Sequence, residues 1–346
     1  MADKEAKHGA KKSTPAKKRG PDPSACPGEA PAGPCSCGKS DLPAFPSPFL
    51  AEQVVSDLDE AGMRRKLDDT LQLNLFLAGR GKERRSEQAA ALATGADPAS
   101  ASDPARAAQD LAYQAMEKGD TECSRDLVRQ ALKLDPGCVD ARVLQATSHR
   151  FPITLARVLR ALQEAVAIAE ERLGKKYLAE HTGSFWGLTR TRPYMRARLQ
   201  WAEAIYRAGR LSEAIAHYEQ LLELNPRDNQ GVRNLLLSAY LETGQAEACR
   251  RLLDQYGDHS AIFLWSAVLE RFLAKDEAGL RAALKEAREQ NRFVEPFLSG
   301  KKPVPAQLPG YYSQGDRNEA VISASLLGEA WKKHPAAGSW LGKKRS

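Results

Sequence analysis

YMRARLQWAEAIYRAGRLSEAIAHYEQLLELNPRDNQG, residues Tyr194–Gly231, is the stretch whose reading decides the fold. Trp201 and Ile205 stand four apart, on one face of a helix, with small Ala202 where a second helix must come close. Gly209 supplies a turn, because a residue without a Cβ takes the left-handed conformation that ends a helix. Beyond it, Ala214, Tyr218 and Leu221 continue a buried stripe at spacings of four and three. Pro226 then stops the pattern, since its ring fits no helix interior. Two antiparallel helices in about 34 residues result.

The order of large, small, glycine, alanine, aromatic and proline resembles a tetratricopeptide repeat, a unit that stacks into solenoids and serves binding rather than chemistry. Siblings lie on both sides. Upstream, Leu111, Ala115, Gly119, Ala131 and Pro136 keep the frame. Downstream, Leu236, Tyr240, Gly244, Leu252 and Leu253 repeat it, with Tyr256-Gly257-Asp258 in place of the proline. An expanded unit lies between the first two, with a short helix over 138–148 and a long one over 153–173. A further pair is expected over 262–273 and 278–289. These make about five hairpins, an all-α solenoid over 107–290, and three or so suffice to bury a continuous core.

Composition agrees. In 346 residues nothing alternates as strands do, and no apolar run reaches the length of a membrane span. The start is polar and basic, without the apolar core of a secretion signal, so a cytoplasmic location is expected. Six cysteines suit a reducing compartment, with Cys123, Cys138 and Cys249 as small core residues. The net charge of +7 is terminal: residues 1–20 carry an excess of five positive charges and Lys343-Lys344-Arg345 three more, which leaves the body near neutral.

Residues 1–42 read as a disordered basic and proline-rich tail, because they have little apolar surface to bury. Such a tail binds nucleic acid loosely, through salt-sensitive contacts, which keeps a nucleic-acid-associated role as the alternative function. Cys26, Cys35 and Cys37 resemble half of a zinc knuckle, but a structural zinc needs four ligands and none follows until Cys123, so no cofactor or metal is implied. Val54, Leu58, Met63, Leu67, Leu71 and Leu75 recur at helical spacing and predict a helical cap over 43–84. Residues 85–106, rich in Ala, Ser and Asp, read as a linker.

Two segments exceed what helices need. HTGSFWGLTRTRPY, His181–Tyr194, sets Phe185, Trp186, Arg190, Arg192 and Tyr194 in a loop. Either the aromatics plug the hairpins, or aromatics and arginines together grip a peptide or acidic group. The second segment spans 291–341, a proline-rich passage through Pro296, Pro303, Pro305 and Pro309 into a capping helix with Ala320, Ala324, Leu327 and Trp331; a basic tail follows at 342–346. Its order, Asn291, Val294, Pro296-Phe297-Leu298, Pro303, Pro309, Gly315-Asp316, Glu319-Ala320, Trp331-Lys332, Ala337 and Leu341, resembles the suppressor of tumorigenicity 7 protein family and its soluble bacterial tetratricopeptide relatives. That resemblance extends over 107–341. It implies a solenoid with an interaction role and brings no catalytic residues.

Enzymatic signatures are missing: six scattered histidines give no metal-ligand spacing, and neither a phosphate loop nor a nucleophile elbow occurs. A non-catalytic scaffold for a protein or peptide is expected, with no membrane partner. First helices line the groove of such arrays, which nominates Arg196, Tyr206, Arg207 and Asn234 as contacts. Trp186, Arg190 and Arg192 join them from the loop.

Overall fold

The computed structural model describes residues 103–148 and 154–343. The basic tail, the 43–84 helical cap, most of the 85–106 linker, Cys26, Cys35, Cys37 and Lys344–Ser346 lie outside the described residues. Fourteen α-helices and two short 3-10 turns make up the described secondary structure. Ten of the helices form five antiparallel pairs.

The first pair is α1 (Pro104–Lys118) with α2 (Glu122–Leu134), and the second α3 (Val139–Thr147) with α4 (Leu155–Leu173). A short helix, α5 (Lys175–Glu180), and 3-10 turns at Phe185–Gly187 and Thr189–Thr191 separate these from the third pair, α6 (Arg192–Arg207) with α7 (Leu211–Leu224). Then come α8 (Val232–Glu242) with α9 (Ala246–Tyr256), and α10 (Ala261–Leu273) with α11 (Glu277–Asn291). The close is α12 (Glu295–Leu298), α13 (Arg317–Lys333) and α14 (Pro335–Lys343).

Local chemistry sets these boundaries. Helix α1 starts at Pro104, inside the stretch expected to be linker, because Asp103 accepts from the Ala105 amide and proline fits a first helical turn. Gly119, Gly209 and Gly244 turn their hairpins at φ of 63°, 75° and 75°. In the last pair Lys275 takes the same place at φ 57°, a conformation that costs a side-chain-bearing residue more than glycine. Asp135 and Asn225 end α2 and α7 directly ahead of Pro136 and Pro226.

Ala202, Ile205, Ala214, Tyr218 and Leu221 are all buried in one core that runs from α3 to α14. Trp201, at the edge of that core, packs its ring 4.6 Å from His217. Cys138 and Cys249 are buried thiols, and Cys123 is half-buried against the core of the first pair.

First helices of adjacent pairs lie side by side: α1 on α3, α3 on α6, and α8 on α10. The C-terminal helix α13 packs against α8 and α10, on the first-helix side of the last two pairs. Proline content alone does not make the whole passage extended, since Pro296 sits in the first turn of α12. Among the described residues no helix is long and apolar enough to cross a membrane.

Candidate functional site

Along the first-helix face, three of the four side chains nominated as contacts are engaged by the chain itself. Arg196 of α6 is 7% exposed and pairs with Asp140 of α3, which is fully buried: Nε lies 2.8 Å from Oδ1 and a terminal nitrogen 2.5 Å from Oδ2. Gln109 of α1 donates to the same carboxylate at 2.7 Å, and the Arg196 guanidinium sits 5.5 Å from the centre of the Tyr113 ring. Burial works to lower the Arg196 pKa, but the Asp140 charge and hydrogen bonds outweigh it and hold the pKa above its ordinary value. This cluster rivets three first helices together.

Tyr206 donates to Glu242 of α8 at 2.5 Å. Burial, followed by the Glu242 and Glu329 carboxylates, pushes its phenol far above the usual range. Arg207 lies 3.7 Å from Glu203, one turn back on α6. Asn234 is 7% exposed, and its Oδ1 has no hydrogen-bond partner among the described residues. Of the four groove candidates, only Tyr206 and Arg207 retain intermediate exposure.

Glu203 gives the face a pH dependence. Burial pushes its carboxyl up to about 8, against the opposing pull of Arg207. A folded pKa above the unfolded value means that this group's contribution is complete below about pH 4.3 and is lost as pH rises through 8. Glu203→Gln therefore flattens the stability profile between pH 5 and 9 and raises unfolding free energy at pH 8.5 by about 1–3 kcal/mol relative to wild type. Thermal melts across that range check it; an unchanged slope contradicts the assignment.

In the 181–194 segment the aromatic side chains turn inward. Phe185 and Trp186 are buried and plug the insertion against α6, where the Phe185 and Tyr194 rings are 6.0 Å apart. Thr191, fully buried, donates to the Leu188 carbonyl at 2.8 Å and to that of Phe185. Arg192 donates to the Trp186 carbonyl at 3.0 Å with its guanidinium 5.4 Å from the Trp186 ring. Arg190 remains exposed. The first helical turn of α6 begins at Arg192, so the irregular part ends sooner than the sequence suggests.

Sequence reasoning missed the closing lock. Glu319 of α13, 3% exposed, accepts from the Ala261 amide at 3.2 Å, the Gly315 amide at 2.6 Å and Asn291 Nδ2 at 2.9 Å. Gln290 Nε2 adds bonds of 3.2 and 3.1 Å. Further along, Ser238 of α8 donates to the Leu326 carbonyl at 2.7 Å, and His334 Nε2 lies 2.7 Å from the Leu241 carbonyl. Asn291, Gly315 and Glu319, quoted above as part of an ordered block, are thus one polar cluster that seats α13 on the repeats.

The tetratricopeptide repeat family matches residues 206–261, the end of α6 through the start of α10. That match takes in α7, α8 and α9, with Gly209, Ala214, Tyr218, Leu221 and Pro226 of the opening stretch inside it. The chain carries tetratricopeptide repeats. A relative from Arabidopsis thaliana, ALBINO3-like protein 2, chloroplastic, is 25% identical over 200 residues, covering 56% of this chain and 33% of that protein. The chain therefore spans about a third of the length of the curated relative it matches.

Proposed function

We propose that this tetratricopeptide protein is a non-catalytic scaffold that holds a protein or peptide along its first-helix face. The observation that carries the reading is the position of α13. By covering α8 and α10, it leaves the first-helix face of α1, α3 and α6 as the stretch on which a partner is to be sought. Tyr206 and Arg207, at the α6 end of that stretch, are the groove candidates that keep partial exposure. Arg196 and Asp140 support the face from beneath instead of reaching outward. The likeness of the closing block to the suppressor of tumorigenicity 7 family fits a scaffold of this kind.

Quantitative affinity capture on the full chain tests it. Tyr206→Ala combined with Arg207→Glu is expected to lower recovery of the wild-type partner set at least about fivefold, about 1 kcal/mol or more. Charge reversal at Lys285, exposed on second helix α11, leaves recovery unchanged. Equal recovery from the Tyr206/Arg207 variant contradicts the proposal.

A further inference from the structure

The insertion between α4 and α6 presents a surface that the scaffold itself does not use. Between Arg172 and Arg192 the sequence holds five cations, Arg172, Lys175, Lys176, Arg190 and Arg192, against one carboxylate, Glu180. Asp135 engages Arg172 through two bonds of 2.7 Å, and Glu180 lies 3.8 Å from Lys176. Lys175 and Arg190 are exposed and have no carboxylate partner among the described residues.

Arg190 is nevertheless held in place. Its guanidinium lies 5.1 Å from the centre of the Tyr177 ring, and one terminal nitrogen donates to the Arg172 carbonyl at 3.1 Å. Tyr177 is stacked in turn on His181, with ring centroids 4.0 Å apart and planes 22° from parallel. Beneath, Phe185, Trp186 and Thr191 fix the backbone of the segment. A guanidinium immobilised on an aromatic ring has lost much of its rotamer entropy already, so a carboxylate that pairs with it pays less for order.

We propose that Lys175, Lys176 and Arg190 form a docking surface for an acidic peptide segment of a partner protein. Charge complementarity names the class, and the aromatic geometry separates it from nucleic acid. A single strand binds by stacking bases on open rings. Here Tyr177 is taken by Arg190 and His181, while Trp186 is 5% exposed with Arg192 over it. What remains are planar and point-like cationic donors, suited to carboxylates. The surface is independent of the first-helix reading, and either one stands if the other fails.

Fluorescence anisotropy of labelled hexaglutamate against the full chain is the test, with labelled oligothymidylate as comparator. Lys175→Glu/Arg190→Glu is expected to weaken hexaglutamate binding about tenfold. Lys175→Glu/Lys176→Glu, confined to exposed positions of α5, gives a similar loss without touching the Arg190 stack. Arg281→Glu/Lys285→Glu on α11 changes net charge equally and accounts for non-specific attraction, including that of the basic N-terminal residues; it is expected to cost less than twofold. Equal losses in all three variants, or none in the α5 pair, overturn the proposal. So does tighter binding of oligothymidylate that the same α5 substitutions abolish, which assigns the surface to nucleic acid.

Discussion

Asp140→Ala should destabilise the protein by about 3–5 kcal/mol, because it strands the buried Arg196 guanidinium without its counter-charge. Gln109 loses its acceptor in the same step, and three first helices lose the group that ties them. For a folded unit of this size the melting temperature falls by roughly 10 °C. Circular dichroism melts of wild type and variant measure it. A second variant separates charge from packing: replacing the pair together, Asp140→Leu with Arg196→Met, removes the stranded charge and is expected to recover at least half of the loss. A fall of less than about 1 kcal/mol in Asp140→Ala contradicts the rivet.

Glu319→Ala carries the second large effect, about 3 kcal/mol, since four donors from three segments converge on this carboxylate away from water. The loss is not spread evenly. Ala261 begins α10, Asn291 ends α11 and Gly315 precedes α13, so their common acceptor seats the C-terminal helix on the last pair. Cleavage within 299–316 by a low concentration of protease is expected to accelerate by about tenfold or more, in step with the local opening free energy. Glu319→Gln, which keeps one acceptor oxygen, falls between wild type and alanine. An alanine variant as resistant as wild type contradicts the lock.

The repeat itself was legible because every signal in it is local. Gly209, Ala214, Tyr218 and Pro226 act through turn geometry and helical spacing, and the core uses them so. Arg196 was not legible. A cation on a first helix has the periodicity of a groove residue whether or not a carboxylate waits for it, and Asp140 lies 56 residues upstream. Tyr206 is similar, with its acceptor Glu242 36 residues away on the neighbouring first helix. The path of α13 was half legible: Ala320, Ala324 and Leu327 announce a helix with a close-packing face, but nothing within it says which repeats it meets. Ser238 held a clue, as a small hydroxyl on a first-helix face that an adjacent backbone can approach. In the 181–194 loop Phe185 and Trp186 take the plugging role that sequence left open, while Arg190 stays in solvent.

Hydrogen exchange on the full chain, followed by mass spectrometry of peptides from α8 (232–242) and α13 (317–333), tests most directly whether the chain covers part of its own first-helix face. Both segments are expected to exchange slowly in wild type and to lose protection together in Glu319→Ala, while α3 and α6 stay protected. Rapid exchange of α13 in the wild-type protein, with α8 still slow, contradicts a face closed by the C-terminal helix.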